Sequence, residues 1–210
     1  MADFVVEQVI YNMSDNINNS QINEQALSRS PIGCDANWLW PTILEQDLSV
    51  NLYDWLVDTG SLTARLKQHG QQFSVEVLTE GRYPLSDDEK TKLNLADNLG
   101  FVREVLLKVD GIPWVFARSV MSLNSLIAPG GELDKLGTRS LGSVLFNAPD
   151  MQRSEIEIAE FTPHSKVYLY SQQLSSIPKA SLFGRRSCFL LGGKSLLVAE
   201  VFLPDALAYK

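Results

Sequence analysis

Three stretches of the 210-residue chain put ionisable side chains where an apolar face should be. In Phe101-Val102-Arg103-Glu104-Val105-Leu106-Leu107-Lys108-Val109 the odd positions share one face of a strand, because alternate strand residues point the same way. Arg103 therefore points with Phe101, Val105, Leu107 and Val109, while Glu104 and Lys108 point away. An unanswered buried charge is expensive, so a guanidinium there is paired or binds an anion. A structural salt bridge or a side chain snorkelling to solvent fits the same pattern. The second stretch is Ser195 to Leu203, where Glu200 is the lone ionisable residue and shares its face with Leu196, Val198 and Phe202. A carboxylate in that setting needs a cation beside it or a proton on it. Glu200 is thus a candidate acid, base or polar anchor, with an Arg–Glu structural pair as the alternative. The third is Arg118, on a face with Trp114, Phe116 and Val120; Arg185-Arg186 after Gly184 add two further guanidinium groups at the start of another strand. Guanidinium groups on neighbouring strands suit carboxylate recognition, since each offers a planar fork of donors. Adjacent strand residues face opposite ways, so solvent is the expected place for at least one of Arg185 and Arg186.

Other chemistries find little support. His69 at a helix end and His164 in a polar stretch have no spacing that makes them joint metal ligands or a nucleophile's base. Cys34 and Cys188 are far apart and make neither a metal knuckle nor a redox pair. Gly130-Gly131 before Glu132 reads as a turn, because no Gly-rich loop follows a strand and opens a helix as a phosphate cradle must. The expectation is a site without metal or cofactor.

The elements that position these residues follow from periodicity. Strands are expected at Phe73–Arg82, Phe101–Val109, Pro113–Met121, Glu155–Phe161, Gly184–Leu191 and Ser195–Leu203. Asp110-Gly111 and Gly192-Gly193 are dipeptides that accept the positive φ angles of tight hairpins, so the strands they join are antiparallel. Leu52, Trp55, Leu56, Leu62 and Leu66 predict two short helices around a Gly60-Ser61 break. Ser86 to Glu89 is a capping-box signature ahead of Leu93, and Leu133–Leu136 and Leu141–Phe146 read as short helices. Strands dominate and helices sit in the connections. That order predicts a single α+β domain with a roughly six-stranded antiparallel sheet and helical flaps. Residues 162–180, rich in Ser, Gln and Tyr, read as a long surface insertion.

The formal charge of −7 argues against a nucleic-acid binder, which neutralises phosphates with Lys and Arg. The charge is unevenly placed. Residues 1–50 hold seven acids and Arg29 as their one base, so residues 1–42 read as an acidic, Asn-rich, loosely structured extension and residues 43–210 as the functional domain. No stretch approaches the roughly 18 apolar residues of a membrane span, and Met-Ala-Asp-Phe-Val-Val-Glu lacks the basic start of a secretory signal. The expectation is a cytoplasmic protein.

The blocks WLVDTGSLTARLKQHG, VREVLLKVDGIPWVFARSV, KLGTRSLGSVLF, FGRRS and LLVAEVFLP, in that order from Trp55 to Pro204, resemble chorismate pyruvate-lyase. The resemblance implies a monomeric, cofactor-independent lyase that converts chorismate to 4-hydroxybenzoate and pyruvate for ubiquinone biosynthesis, with the ligand enclosed between the sheet and helical flaps. It implies that Arg103 binds the ring carboxylate, that Glu200 meets the 4-hydroxyl end, and that Leu62 and Leu141 give backbone or wall contacts. Arg118 is a further candidate for the enolpyruvyl carboxylate. A non-catalytic sensor resembles the lyase in fold, but such regulators carry a basic helix-turn-helix in front, against which Arg29 stands alone. Another chorismate-using enzyme differs only by its product.

Overall fold

Two hairpins frame the sheet. Asp110 and Gly111 have φ of 49° and 81°, and Gly192 and Gly193 have 56° and 74°, the left-handed values that two-residue turns require. The computed structural model describes residues 30–126 and 136–210. Its strands are β1 (Phe73–Pro84), β2 (Leu99–Val109), β3 (Ile112–Met121), β4 (Gln152–Arg153), β5 (Glu157–Phe161), β6 (Leu182–Leu191) and β7 (Lys194–Phe202). The sheet runs β1-β2-β3-β7-β6, every pair antiparallel. On the far side of β6, β5 pairs with its first half and β4 with its second. Ile32–Lys210 forms one α+β unit, and the strand beyond the six expected is the two-residue β4. The helices are α1 (Pro41–Leu44), α2 (Val50–Val57), α3 (Leu62–Lys67), α4 (Asp87–Leu93), α5 (Leu141–Leu145) and α6 (Lys166–Ser171). The helix expected at Leu133–Leu136 and the Gly130-Gly131 turn lie outside the described residues, save Leu136, which is buried.

A bulge between β2 and β3 decides which of their residues share a face. From the Asp110-Gly111 turn, Val109 pairs with Ile112 and Lys108 with Pro113, but Leu107 pairs with Val115. The extra residue shifts everything beyond it by one, and a one-residue slip moves a side chain to the opposite face. Arg118 therefore pairs with Glu104, and Arg103 with Ser119. Had the turn's register continued, Arg118 would stand beside Arg103.

Both faces of the sheet are covered. On the front, α2 and α3 lay Leu52, Trp55, Leu56, Leu62 and Leu66 on Val105, Leu107, Val115 and Phe202. Leu141 and Leu145 of α5 pack with Phe101, Met121, Phe189 and Leu196. On the back, Cys34 and Val167 of α6 pack with Leu106, Phe116, Phe161 and Val201. Leu93 of α4 meets Val102, Val120 and Leu197 there. The 162–180 segment is thus more than a surface insertion. Ser165 caps α6, Val167 and Ser171 are buried, and the Tyr168 hydroxyl donates to the Lys179 carbonyl at 2.6 Å. Residues 32–42 also lie on the body: Leu39 and Ile158 exchange backbone hydrogen bonds at 2.8 Å, and Trp38 meets Phe161 edge-on.

The apolar back cover encloses a charged knot. Arg118 donates to Glu89 at 2.7 Å and to Glu104 at 2.8 Å, and Glu104 accepts the Ile32 and Gly33 N–H groups, each at 2.8 Å. Glu89 is also the capping-box acceptor for Ser86 N–H, as the sequence pattern predicts. Glu104, pointing away from the front face, is wholly buried rather than solvated. Burial lowers the Arg118 pKa, but Glu89 and Glu104 outweigh it and hold the guanidinium above its usual range. Burial also pushes the neighbouring Cys34 thiol well up, leaving it inert. Arg118→Met strands two buried carboxylates and is expected to cost about 3–5 kcal/mol in urea unfolding. Lys108→Met, which removes the more exposed pair with Glu76, should cost under about 1 kcal/mol. Equal costs would contradict this reading of the knot.

Candidate active site

Between the two apolar clusters of the front face, the sheet and flaps form a cavity. Val105, Leu107, Ala117, Val198, Leu145 and Phe189 supply apolar wall, and Arg103, Ser119, Arg153, Arg185 and Glu200 supply polar groups. Such a mixture of apolar wall and a few placed charges is the usual make-up of a small-molecule site. Leu62 and Leu141 open α3 and α5 behind serine caps, Ser61 and Ser140. First-turn N–H groups have no acceptor within their own helix, so both positions can offer backbone donors to the cavity they line. The two flaps touch over it. A Cβ on Gly142 would stand 3.0 Å from Thr63 Oγ1, so glycine permits the approach.

The charged lining is held from outside. Arg103 donates Nε to Glu80 at 2.8 Å and Nη2 to the carbonyls of Gly137 at 2.7 Å and Arg139 at 3.2 Å. Arg185 donates Nε to Glu200 Oε2 at 2.8 Å and Nη1 to the carbonyls of Trp55 and Asp58 at 3.0 and 2.6 Å. Arg153 donates Nε to Ser187 Oγ at 3.0 Å and Nη1 to the Thr59 carbonyl at 2.9 Å, and it lies 5.2 Å over the Phe189 ring. Arg185 and Arg153 together tie down the 58–60 loop that leads into α3. Three guanidinium groups and one carboxylate line the cavity, a net charge of +2, with Glu80 outside the lining offsetting part of Arg103.

The two faces answer their arginines differently. On the back, Arg118 has Glu89 and Glu104, and Arg186 has Asp88 and Glu157. Burial is outweighed and the Arg186 pKa, like that of Arg118, is raised. On the front, Arg103 has one carboxylate and Arg153 has none among the described residues. Burial lowers the Arg103 pKa with only Glu80 against it, and burial with the nearby charge of Arg185 lowers that of Arg153. Among the described residues, the front face carries more cation than carboxylate to answer it.

The structure brings Arg103, Glu200, Leu62 and Leu141 to one cavity. It corrects two assignments. Arg118 lies on the opposite face in the knot, because of the bulge, and reaches no cavity ligand. Neither Arg185 nor Arg186 is solvated: they are 1% and 5% exposed, one on each face, and Arg186 also stacks on Trp38. Arg153 escaped sequence reasoning because a two-residue strand leaves no period-two run to detect. His69 stacks near Trp55 and Trp114, and among the described residues no His, Cys, Asp and Glu cluster could hold a metal.

The family model "Chorismate lyase" matches residues 33–210. The chain belongs to the chorismate lyase family. A protein named "Probable chorismate pyruvate-lyase" from Pseudoalteromonas translucida is 41% identical, covering 85% of this chain and 98% of that one. Another of that name from Pseudomonas putida is 44% identical over 83% and 92%. Among solved structures, PhnF from Mycobacterium smegmatis aligns with TM-score 0.52 at 12% identity, covering 71% of this chain and 66% of that one. Its effector domain alone gives 0.50 at 12% identity, covering 70% and 91%. At that identity the likeness is one of fold. No helix among the described residues is long and apolar enough to cross a membrane.

Within this chorismate lyase family member, Gly184 of the FGRRS block sets the spacing of Arg185 and Glu200. A Cβ there would stand 2.9 Å from the Glu200 carbonyl, 3.0 Å from the Phe161 ring and 3.1 Å from Val201. Gly184→Ala is therefore expected to lower unfolding free energy by about 1–3 kcal/mol through overpacking. Unchanged stability in denaturant unfolding would contradict the close approach.

Proposed function

We propose that the protein is a chorismate pyruvate-lyase that splits chorismate into 4-hydroxybenzoate and pyruvate, supplying the aromatic ring for ubiquinone biosynthesis. The observation that carries this reading is the front cavity, enclosed by flaps, apolar in its walls and cationic in its charges. Chorismate is a dianion with one carboxylate on the ring and one on the enolpyruvyl ether. Names of relatives at 36–46% identity support the same substrate.

The strand register supports placing the ring between Arg103 and Glu200. Arg103 stands on β2 and Glu200 on β7, two strands apart, about 10 Å across the sheet and about 7 Å along it. The Arg103 fork takes the ring carboxylate as a charge-assisted pair. Glu200, with Oε2 held by Arg185, offers Oε1 to the hydroxyl para to that carboxylate. Leu62 and Leu141 hold the ligand through backbone and wall.

In the reaction the ether C–O bond breaks, the ring loses its C4 hydrogen, and the enolpyruvyl methylene gains one to leave as pyruvate. Atoms and electrons balance without an oxidant or a cofactor. Aromatisation supplies driving force, so the protein's part is orientation and stabilisation of charge developing on the departing group. Glu200 acts as anchor for the hydroxyl, and the hydrogen passes within the substrate. We assign the protein to the cytoplasm, acting as a monomer.

The test is incubation of purified protein with chorismate, without added metal or nucleotide, followed by product analysis. Equimolar 4-hydroxybenzoate and pyruvate are expected. Prephenate would indicate a mutase, and bound but unchanged chorismate would favour a sensor. Arg103→Ala should lower kcat/KM at least tenfold, about 1.4 kcal/mol, and near-normal turnover of that folded variant would refute its assignment.

A further inference from the structure

We infer that Arg153 is the receptor for the second carboxylate of the substrate, the one on the enolpyruvyl group. The inference rests on the lyase reading and adds a subsite to it. If the ring lies between Arg103 and Glu200, the ether oxygen is on the carbon next to the one bearing the hydroxyl. The enolpyruvyl carboxylate must then fall at the Glu200 end of the cavity, away from Arg103.

Three guanidinium groups line the cavity, and two can be set aside. Arg103 belongs to the other end, on β2. Arg185 is committed to Glu200 and to two carbonyls, and its side chain is 1% exposed. Arg153 lies beyond Glu200 as counted from Arg103 across β2, β3, β7, β6 and β4. Its Nε and Nη1 are placed by the Ser187 hydroxyl and the Thr59 carbonyl, two neutral acceptors that fix the plane of the fork without neutralising it. Nη2 donates to no described residue. The Phe189 ring beneath fixes the guanidinium further.

The electrostatics agree with the geometry. The Arg153 charge is disfavoured first by burial and then by Arg185, and only partly relieved by Glu200 and Asp58. An incoming carboxylate relieves both burdens at once, and it departs with pyruvate. The product 4-hydroxybenzoate has the ring carboxylate and the hydroxyl but nothing to place on Arg153. Arg153 thus separates substrate from product, where Arg103 and Glu200 hold both.

The experiment compares chorismate kinetics with 4-hydroxybenzoate affinity in wild type, Arg153→Gln and Arg153→Lys. For Arg153→Gln, KM for chorismate should rise at least about tenfold, while the 4-hydroxybenzoate Kd stays within about twofold. Arg153→Lys keeps the charge and loses the fork, and should give a smaller loss confined to chorismate; it decides the matter if the glutamine variant does not fold. Parallel weakening of both ligands would overturn the proposal, because Arg153 would then merely hold the Thr59 loop. Unchanged chorismate kinetics would overturn it as well. If wild type binds chorismate without splitting it, the lyase reading fails, and the Kd ratio of chorismate to 4-hydroxybenzoate across the variants still decides Arg153. If wild type binds neither ligand, both readings fall.

Discussion

Burial of arginine is the constraint around which this molecule is arranged. Arg103, Arg118, Arg185 and Arg186 are each 5% exposed or less, and Arg153, half-buried, lines the front cavity. A guanidinium cannot shed its charge as a lysine can, so each must be answered where it stands. The back face answers completely, with two carboxylates for each of its two arginines. The front face answers in part, with Glu80 and Glu200 for three. What closes the back into a structural knot leaves the front, among the described residues, with more cation than carboxylate, which suits the small dianion proposed as substrate.

That division depends on backbone register as much as on side chains. The bulge beside Leu107 turns Arg118 to the back, where it meets Glu89 and Glu104, and Glu104 also accepts the Ile32 and Gly33 amides. The same shift leaves Arg103 on the front with Ser119 and Ala117 as neighbours across the pairing. The pairing of Arg118 with Glu104 and the clearance of the cavity floor are thus two results of one extra residue. Gly184 plays the corresponding part between β6 and β7, where close approach sets Arg185 against Glu200.

Much of the fold was legible because local rules and tertiary structure agree. The two hairpin dipeptides, the Ser86–Glu89 capping box, and the apolar runs of β2, β3, β6 and β7 each read the same way in sequence and in space. Arg103 and Glu200 stood out because a charge among apolar alternates has no local explanation. The misreadings have physical causes. Parity within a strand does not say which face of the sheet is which, so Arg118 could not be told from a cavity residue without the bulge. At least one of Arg185 and Arg186 was given to solvent because alternation assumes one wet face, and here both faces are covered. Arg153 sits on a strand too short for any period, and the polar 162–180 segment hid Val167 and Ser171, which the back face buries.

The central claim is that the front cavity takes an anionic aromatic ring between Arg103 and Glu200. A crystal structure of the protein with 4-hydroxybenzoate tests it most directly. The account predicts the ring enclosed beneath α3 and α5, its carboxylate about 2.7–3.0 Å from the Arg103 guanidinium and its hydroxyl at a similar distance from Glu200. A ligand bound on the back face, or in the cavity with its carboxylate turned to Arg153 and its hydroxyl to Arg103, would contradict it.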